Sequence, residues 1–454
     1  MSDPTECTGA STTRPGLEAR NGARAARPAS NPGRVEGAPK ARPLVYRKQC
    51  FNTASENPRR RRYQRRSQSS RWLISDAHEA IDSVNRETGE ITSDWSKAPR
   101  LAKCSWRIGQ SVPVHAANGM AHFSGTERCS SIWACPVCSS VIRAERAREI
   151  DQAVNAHHDA GGAALFVTLT IRHKTRDPLK QSLEAVLGSW RKLLQGGAWV
   201  GTKRTEGMRD RYGVVGYIRS TEITYGDNGW HPHIHAVILL SEDLSEDAVE
   251  RFGDEVHGHW ARHVQKVTGR MPTRDHGIDV QKLDKEGKVI GQYLSKMQDE
   301  GTKEKKWGVS AELARTDVKH GRGGSFVPFE LLDRDHEYSE AQRYVLWSEY
   351  AKATRGRRAI TWSRGLKDLY EVGEMTDEAI IDETESAPAR WIAYGKGYDA
   401  LRRYDAGLLA HVLDLAELEA WAEVSELLPG ERAPDFDLCD DGPPDDPRAH
   451  VSAD

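Results

Sequence analysis

The sequence contains no long apolar run. None approaches the roughly 20 apolar residues that a membrane-spanning helix needs, so a membrane protein is not expected. The first ten residues, Met1–Ala10, lack the positive segment and the apolar segment of a secretory signal peptide. These absences predict a cytoplasmic protein in a reducing compartment.

Cysteine is scarce, with seven in 454 residues, and three of the seven are scattered. The other four fall within residues 104–138 and are Cys104, Cys129, Cys135 and Cys138. In a reducing compartment, clustered cysteines indicate a metal rather than disulfides. The Cys-Pro-Val-Cys turn predicts a structural Zn²⁺ held by four protein ligands, with no open position for catalysis. His115 or His122 could replace one cysteine, and four buried free thiols are the simpler alternative.

Net charge is also small, at −2 at pH 7, but the two signs are separated along the chain. Residues 1–72 hold 16 Lys and Arg against 5 Asp and Glu, whereas residues 371–454 hold 6 against 22. The basic segment is rich in Pro, Gly and Ser, which predicts a disordered arm that meets either DNA phosphates or only solvent. Its densest positive run is Arg59–Arg66. The acidic segment predicts a solvated tail with a helical stretch over 398–428.

Hydrophobic periodicity organises the middle of the chain. Strand-like and helix-like stretches alternate in the order β-α-β-β-α-β over roughly residues 161–300. That order predicts an α+β fold with a central antiparallel sheet and its helices on one face, preceded by a small Cys-rich zinc-type module. The predicted divisions are a disordered basic arm (1–72), a linker (73–100), the Cys-rich module and a connecting helix (101–160), a catalytic domain (161–300), an extension of the core (301–370) and the acidic tail (371–454).

One predicted hairpin brings metal-ligand residue types together. His233 and His235 are two apart in a strand and therefore share a face. A two-residue turn at either Asp227-Asn228 or Asn228-Gly229 places Glu222 opposite one of them on that face, whereas a three-residue turn would send it to the other. Two histidines and a carboxylate with open positions suit a divalent metal acting as a Lewis acid. Two polar residues at the wet end of an ordinary strand are the alternative.

A helix predicted over Val289–Gln298 carries Tyr293 and Lys296 as neighbours one turn apart. The stretches Phe166–His173, Glu222–Leu240 and Tyr293–Lys296 together resemble the three ordered motifs of the HUH endonucleases. More narrowly, the chain resembles the plasmid rolling-circle replication initiators of high-GC Gram-positive bacteria. The Cys-rich segment and Trp362-Ser363-Arg364-Gly365-Leu366 add to this resemblance, which covers roughly residues 101–370.

The resemblance implies a bacterial cytoplasmic nicking and rejoining enzyme for plasmid origin DNA, single-stranded at the nick, with host helicase and polymerase as partners. Tyr293 would attack one phosphodiester, leaving a 5′-phosphotyrosine and a 3′-OH that primes synthesis. A phenol with a pKa near 10 needs activation. Mg²⁺ or Mn²⁺ on Glu222, His233 and His235 would polarise the phosphate, and Lys296 would add positive charge.

Some relatives carry two tyrosines on the catalytic helix, whereas this chain has only Tyr293 there. Termination would then use another nucleophile, a second subunit, or a water activated by a carboxylate. The carboxylates nearby in sequence are Asp284, Glu286, Asp299 and Glu300.

Four alternatives stay open. A mobilisation relaxase or a single-strand transposase would use the same chemistry, and the zinc-type segment with the absence of a Gly-x-x-x-x-Gly-Lys-Ser/Thr helicase pattern favours the initiator. A non-catalytic zinc-containing DNA-binding regulator would not need Tyr293. A zinc hydrolase at the two histidines and Glu222 would cleave without a covalent adduct.

Overall fold

The computed structural model describes residues 57–85, 88, 91–117, 119–283, 325–383 and 388–433. The helices in these residues are α1 (Pro58–Asp76), α2 (His78–Ile81), α3 (Pro136–Asp159), α4 (Leu179–Gln195), α5 (Gly197–Val200), α6 (Met208–Arg211), α7 (Glu246–Thr268), α8 (Arg274–Gly277), α9 (Glu340–Thr354), α10 (Leu366–Leu369), α11 (Asp377–Glu383), α12 (Gly395–Tyr404), α13 (Ala406–Glu417) and α14 (Trp421–Leu427). The strands are β1 (Asp82–Val84), β2 (Ile91–Ser93), β3 (Ser111–Ala117), β4 (Met120–Phe123), β5 (Ala163–Leu169), β6 (Val214–Gly226), β7 (Gly229–Leu240), β8 (Ile278–Leu283), β9 (Ile360–Trp362), β10 (Ala389–Tyr394) and β11 (Gly430–Arg432). Within the described residues, no helix combines the length and apolar character needed to cross a membrane.

The central sheet has five antiparallel strands in the order β8-β5-β7-β6-β9. Its first four strands in the chain, with α4 and α7 between them, follow the predicted β-α-β-β-α-β order. The α+β prediction is therefore confirmed. The long hairpin of β6 and β7 lies inside the sheet, flanked by β9 on one side and β5 on the other.

One face of this sheet is covered by α4 and α7, as predicted. Their apolar stripes, which include Trp190 and Trp260, pack on inward residues such as Val167 and Ile234 in one buried cluster. Burying each such side chain contributes about 1.5–3 kcal/mol. Ser245 caps the start of α7 by accepting a hydrogen bond from the Ala248 amide at 3.3 Å.

The opposite face receives the second half of α3. Ile150, Ala153 and Val154 on this helix pack against Phe166 and Val237 of the sheet. The first half of α3 belongs to the Cys-rich module, because Cys135 is its N-cap residue and Pro136 its first residue. A single helix therefore joins the module to the sheet.

A second sheet combines the two ends of the described chain in the order β11-β10-β3-β4. β10 pairs with β3, placing Trp391 beside Val114. Tyr398 of α12 and Leu409 of α13 then enter the same buried cluster as Val112 and the cysteines. The stretch from α12 to α14 confirms the helical segment predicted over 398–428. It is packed into the Cys-rich module rather than forming a separate tail.

The prediction of a disordered arm over residues 1–72 is wrong for its last fifteen residues, which belong to α1. Residues 1–56 lie outside the described part of the chain. Arg59 pairs with Asp414 at 2.7 Å, and Arg65 donates to Asp333 at 2.7 Å. The predicted linker over 73–100 begins inside α1 and continues through α2 and the β1–β2 hairpin. Acidic partners far along the chain neutralise the arginines and allow this helix to pack.

Candidate metal centres

The β6–β7 hairpin is closed by a two-residue turn at Asp227-Asn228. Gly226 pairs with Gly229, and Glu222 pairs with His233, so the first of the two predicted registers is confirmed. Gly229 has φ +81°, and a Cβ there would lie 2.8 Å from the Cα of Thr175. Only glycine fits that position without a shift of the neighbouring backbone.

Glu222, His233 and His235, which we name the hairpin triad, converge on the sheet face that receives α3. The Oε2 atom of Glu222 lies 3.1 Å from His235 Nε2 and 3.6 Å from His233 Nε2. One ligand atom from each of the three residues lies within 4.8 Å of the others. All three side chains are at most 12% exposed. Ligands of an octahedral ion at about 2.1 Å stand about 3 Å apart, so the spacing suits a small divalent cation.

Hydrogen bonds fix which histidine nitrogen faces the carboxylate. His233 Nδ1 lies 3.2 Å from the carbonyl oxygen of His231, which can only accept, so Nδ1 carries the proton. In the neutral ring, Nε2 then presents a lone pair toward the Glu222 oxygen. His235 Nδ1 lies 3.1 Å from the hydroxyl of Thr168, which leaves its Nε2 for the same centre. His235 Nε2 is within hydrogen-bond distance of Glu222 Oε2, and three potential ligand atoms gathered in this way form the arrangement of a metal site.

Four further residues around the triad were not assigned a role from the sequence. Thr168 lies directly opposite His235 on β5, and the Phe166 ring stacks on the His235 ring at 5.3 Å. His231 stacks on His173 with ring centres 4.7 Å apart, and burial lowers the pKa of His231 to about 3. His231 is therefore neutral at physiological pH. The contact of Thr168 with His235 depends on the pairing of β5 with β7.

The predicted nucleophile Tyr293 and its neighbour Lys296 lie outside the described residues, which stop at Leu283 and resume at Ser325. The candidate terminators between Asp284 and Glu300 fall in the same gap. The structure does place an exposed carboxylate, Asp279, on the triad face, where it pairs with Thr168 across β8 and β5.

Cys104, Cys129, Cys135 and Cys138, the thiol cluster, meet at the start of α3. The Cys104 sulfur lies 3.6 Å from that of Cys135 and 3.7 Å from that of Cys138, and the Cys129 and Cys138 sulfurs are 3.8 Å apart. Sulfurs at about 2.3 Å from a tetrahedral Zn²⁺ stand about 3.8 Å apart, so the donor set fits that ion. Hydrogen bonds from the other three thiols hold the pKa of the Cys104 thiol well below its ordinary value.

His115 and His122 do not join the thiol cluster. They pair across β3 and β4 and stack with ring centres 4.7 Å apart. His115 Nε2 lies 2.7 Å from the Ser124 hydroxyl. Four sulfurs complete the cluster, so neither histidine is needed to replace a cysteine.

The family model for replication proteins matches residues 122–390 of this chain, which is more than half of its length. The chain belongs to this replication protein family. A relative from Streptomyces lividans, named Protein rep, is 35% identical in a 310-residue alignment that covers 57% of this chain and 67% of that protein. Membership in the family supports a role in initiating replication.

Two further relatives match this chain over shorter stretches. A protein named Neomycin resistance protein, from Streptomyces cyanogenus, is 40% identical over 28% of this chain and 33% of its own length. A second Protein rep, from Lentilactobacillus hilgardii, is 26% identical over 29% of this chain and 39% of its own length. The chain therefore spans only about a third of each of these two relatives. No solved structure matches the replication protein.

Proposed function

We propose that the chain is a plasmid replication initiator that nicks one strand of its origin and later rejoins it, using Tyr293 as nucleophile. The observation that carries this proposal is the convergence of three potential ligand atoms in the hairpin triad, within 4.8 Å on one sheet face. Membership in the replication protein family supports plasmid origin DNA as the substrate. A relaxase or a transposase would use the same chemistry, but the family favours replication.

The reaction follows from the residue types. The Tyr293 phenol oxygen attacks the phosphorus of one phosphodiester and loses its proton, and the bond to the 3′ oxygen breaks. The 3′ oxygen takes up a proton, so the products are a 5′-phosphotyrosine and a 3′-OH primer. A divalent cation bound by the triad, Mg²⁺ or Mn²⁺, supplies Lewis-acid polarisation of the phosphate. Lys296 adds a positive charge for the phosphate or the phenolate.

The described residues around the triad prepare this centre. Glu222 gives the site its negative charge, so a cation is attracted without a second carboxylate. The His231 carbonyl and the Thr168 hydroxyl orient His233 and His235 before any ligand arrives. Because the triad is nearly buried, interactions with an incoming phosphate act at low effective dielectric.

We also propose that the thiol cluster holds a structural Zn²⁺. Its four sulfurs leave no open coordination position, so the ion would stabilise the start of α3 rather than take part in nicking. Apart from the ion, Cys135 also caps α3, since its sulfur lies 3.5 Å from the Cys138 amide.

The test uses single-stranded oligonucleotides that tile the origin of the plasmid encoding the protein. Incubated with Mn²⁺, the wild type is expected to form a covalent protein–DNA adduct that peptide mapping places at Tyr293. Tyr293→Phe removes the nucleophile and is expected to abolish the adduct while the fold and DNA binding stay intact. Tyr404→Phe is the matched control, because Tyr404 is 87% exposed and lies at the end of α12 in the Cys-rich module.

Three results would contradict the proposal. Cleavage without an adduct in the wild type indicates hydrolysis, and full activity of Tyr293→Phe indicates another nucleophile. Specific origin binding with no cleavage under any divalent cation indicates a non-catalytic regulator.

A further inference from the structure

The reverse face of the central sheet carries a cavity that the proposed reaction does not use. Its volume is about 610 Å³, within the range of about 300–1,000 Å³ that is typical of ligand sites. The cavity lies between α4, the outer end of β6 and the segment around β9. Arg219 of β6 pairs with Ala236, whose side chain belongs to the α4–α7 core. Arg219 therefore points to the sheet face that α4 and α7 cover, whereas Glu222 points to the triad face.

The lining of this cavity, here named the arginine cavity, is strongly basic. Its arginines are Arg191, Arg209, Arg219, Arg357, Arg358 and Arg364. None of the described residues that line it is acidic. Among described residues, only Arg357 of these six has an ion-pair partner, Glu184 at 3.1 Å. Clustered unpaired cations repel one another, so the site is suited to bind an anion.

Arg219 is the buried base of the cavity, with only 5% of its surface exposed. Its Nε donates to the Thr361 hydroxyl at 2.9 Å, and an Nη donates to the Arg358 carbonyl at 3.4 Å. No carboxylate accompanies it among the described residues, and burial lowers its pKa to about 10. A buried cation without a countercharge is costly, and a bound phosphate would offset that cost.

The rim is formed by exposed arginines that the backbone holds in place. The Ser363 hydroxyl accepts a hydrogen bond from the Tyr217 amide at 3.0 Å, and the Ser363 amide donates to the Tyr217 carbonyl at 2.9 Å. This contact fixes Arg364 beside the edge of the sheet. The Trp362–Leu366 stretch that the sequence singled out thus forms one wall of the cavity.

The aromatic side chains of the cavity offer little surface for base stacking. Trp190 and Trp199 are only 6% and 5% exposed, and Trp190 meets Tyr217 edge to face at 5.3 Å. Proteins that hold single strands present open aromatic faces. Arginine-to-phosphate contacts without stacking are instead the pattern of backbone binding to a duplex.

We propose that the arginine cavity binds the phosphate backbone of duplex DNA flanking the nick, on the face of the sheet opposite the hairpin triad. The inference rests on the proposed function for the choice of DNA as the polyanion. A duplex held there continues around the β9 edge, so that the strand released from it reaches the triad on the other face. The contact is independent of sequence and strongly dependent on salt.

The test measures binding of a 20-base-pair duplex of arbitrary sequence as a function of salt, by fluorescence anisotropy with the full chain. Arg358→Ala/Arg364→Ala removes two exposed rim charges. The slope of log K against log salt is negative, and each lost phosphate contact should reduce its magnitude by about 0.9. Between 50 and 200 mM salt, the wild type should therefore lose about tenfold more affinity than this variant.

Lys396→Ala/Arg403→Ala is the matched control, because it removes two exposed positive charges from α12 in the Cys-rich module. An unchanged slope in the cavity variant, or an equal change in the control, would overturn the proposal. An equal loss on a 20-nucleotide single strand would also overturn it, since it would make the cavity a single-strand site. Adduct formation at Tyr293 is scored separately on saturating single-stranded oligonucleotide, so failure of the nicking reaction is distinguishable.

Discussion

The hairpin triad and the thiol cluster are built in different ways. The triad comes from one β-hairpin within fourteen residues of chain and offers three ligands on a sheet face. The thiol cluster gathers four ligands from three segments spread over residues 104–138 and buries them in the largest core cluster. A three-ligand site leaves room for a substrate, whereas a four-sulfur site is closed. Loss of metal should therefore cost activity at the first and stability at the second.

The largest effect is expected at the thiol cluster. Cys138→Ser removes one ligand and should abolish stoichiometric zinc, with unfolding of the module or a fall in Tm of more than about 10 °C, because structural zinc binding contributes about 10–16 kcal/mol in small zinc domains. Zinc content by atomic emission and thermal unfolding by circular dichroism measure both. Cys439→Ser, outside the described residues, should retain zinc. A zinc-free Cys138→Ser protein with unchanged Tm would show that the thiol cluster does not stabilise the fold through zinc.

The second effect is expected at the triad, where a substitution should reduce activity and leave thermal stability nearly unchanged. Glu222→Gln keeps the size of the side chain but removes the charge that attracts a cation, so adduct formation with Mn²⁺ should fall about 100-fold or more. Calorimetric titration with Mn²⁺ should show the loss of binding, while Tm changes by only a few degrees. Glu250→Gln, at an exposed glutamate on α7, controls for the loss of one carboxylate. Collapse of the fold in Glu222→Gln would show that the triad is structural as well.

The smallest effect is expected one contact away from the triad. Thr168→Val removes the hydroxyl that orients His235 and should weaken Mn²⁺ binding by about 10–100-fold, as is usual for partners of metal ligands. Thr168→Ser keeps the hydroxyl and should restore the affinity. If both variants bind Mn²⁺ equally well, the contact does not position His235.

Local sequence predicted the parts of the molecule that are local in the chain. Strand periodicity and a turn signal left two registers for a two-residue turn, and both placed Glu222 on the face of the two histidines. The thiol cluster followed from the Cys-Pro-Val-Cys turn. The contact of Thr168 with His235 was not predicted, because the two residues are 67 apart in the chain and meet only through the order of the sheet.

The failures concern contacts between distant segments. The run Arg59–Arg66 has the composition of a solvated arm, yet Arg59 contacts Asp414 and Glu417, more than 350 residues away. No local pattern connects the basic start to the acidic end. The pairing of β10 with β3 was missed for the same reason, and the division into separate basic, Cys-rich and acidic segments does not hold for the described residues.

The continuous helix α3 has a consequence for how the chain can change in length. Its N-cap residue is Cys135 of the thiol cluster, and its Ile150 packs against the triad face of the central sheet, so both ends are fixed. One inserted residue would rotate one end by about 100° and shift it by about 1.5 Å relative to the other. The spacing between Cys138 and Ile150 is therefore set to the residue. The length of α3 thus sets the distance and the rotation between the thiol cluster and the central sheet.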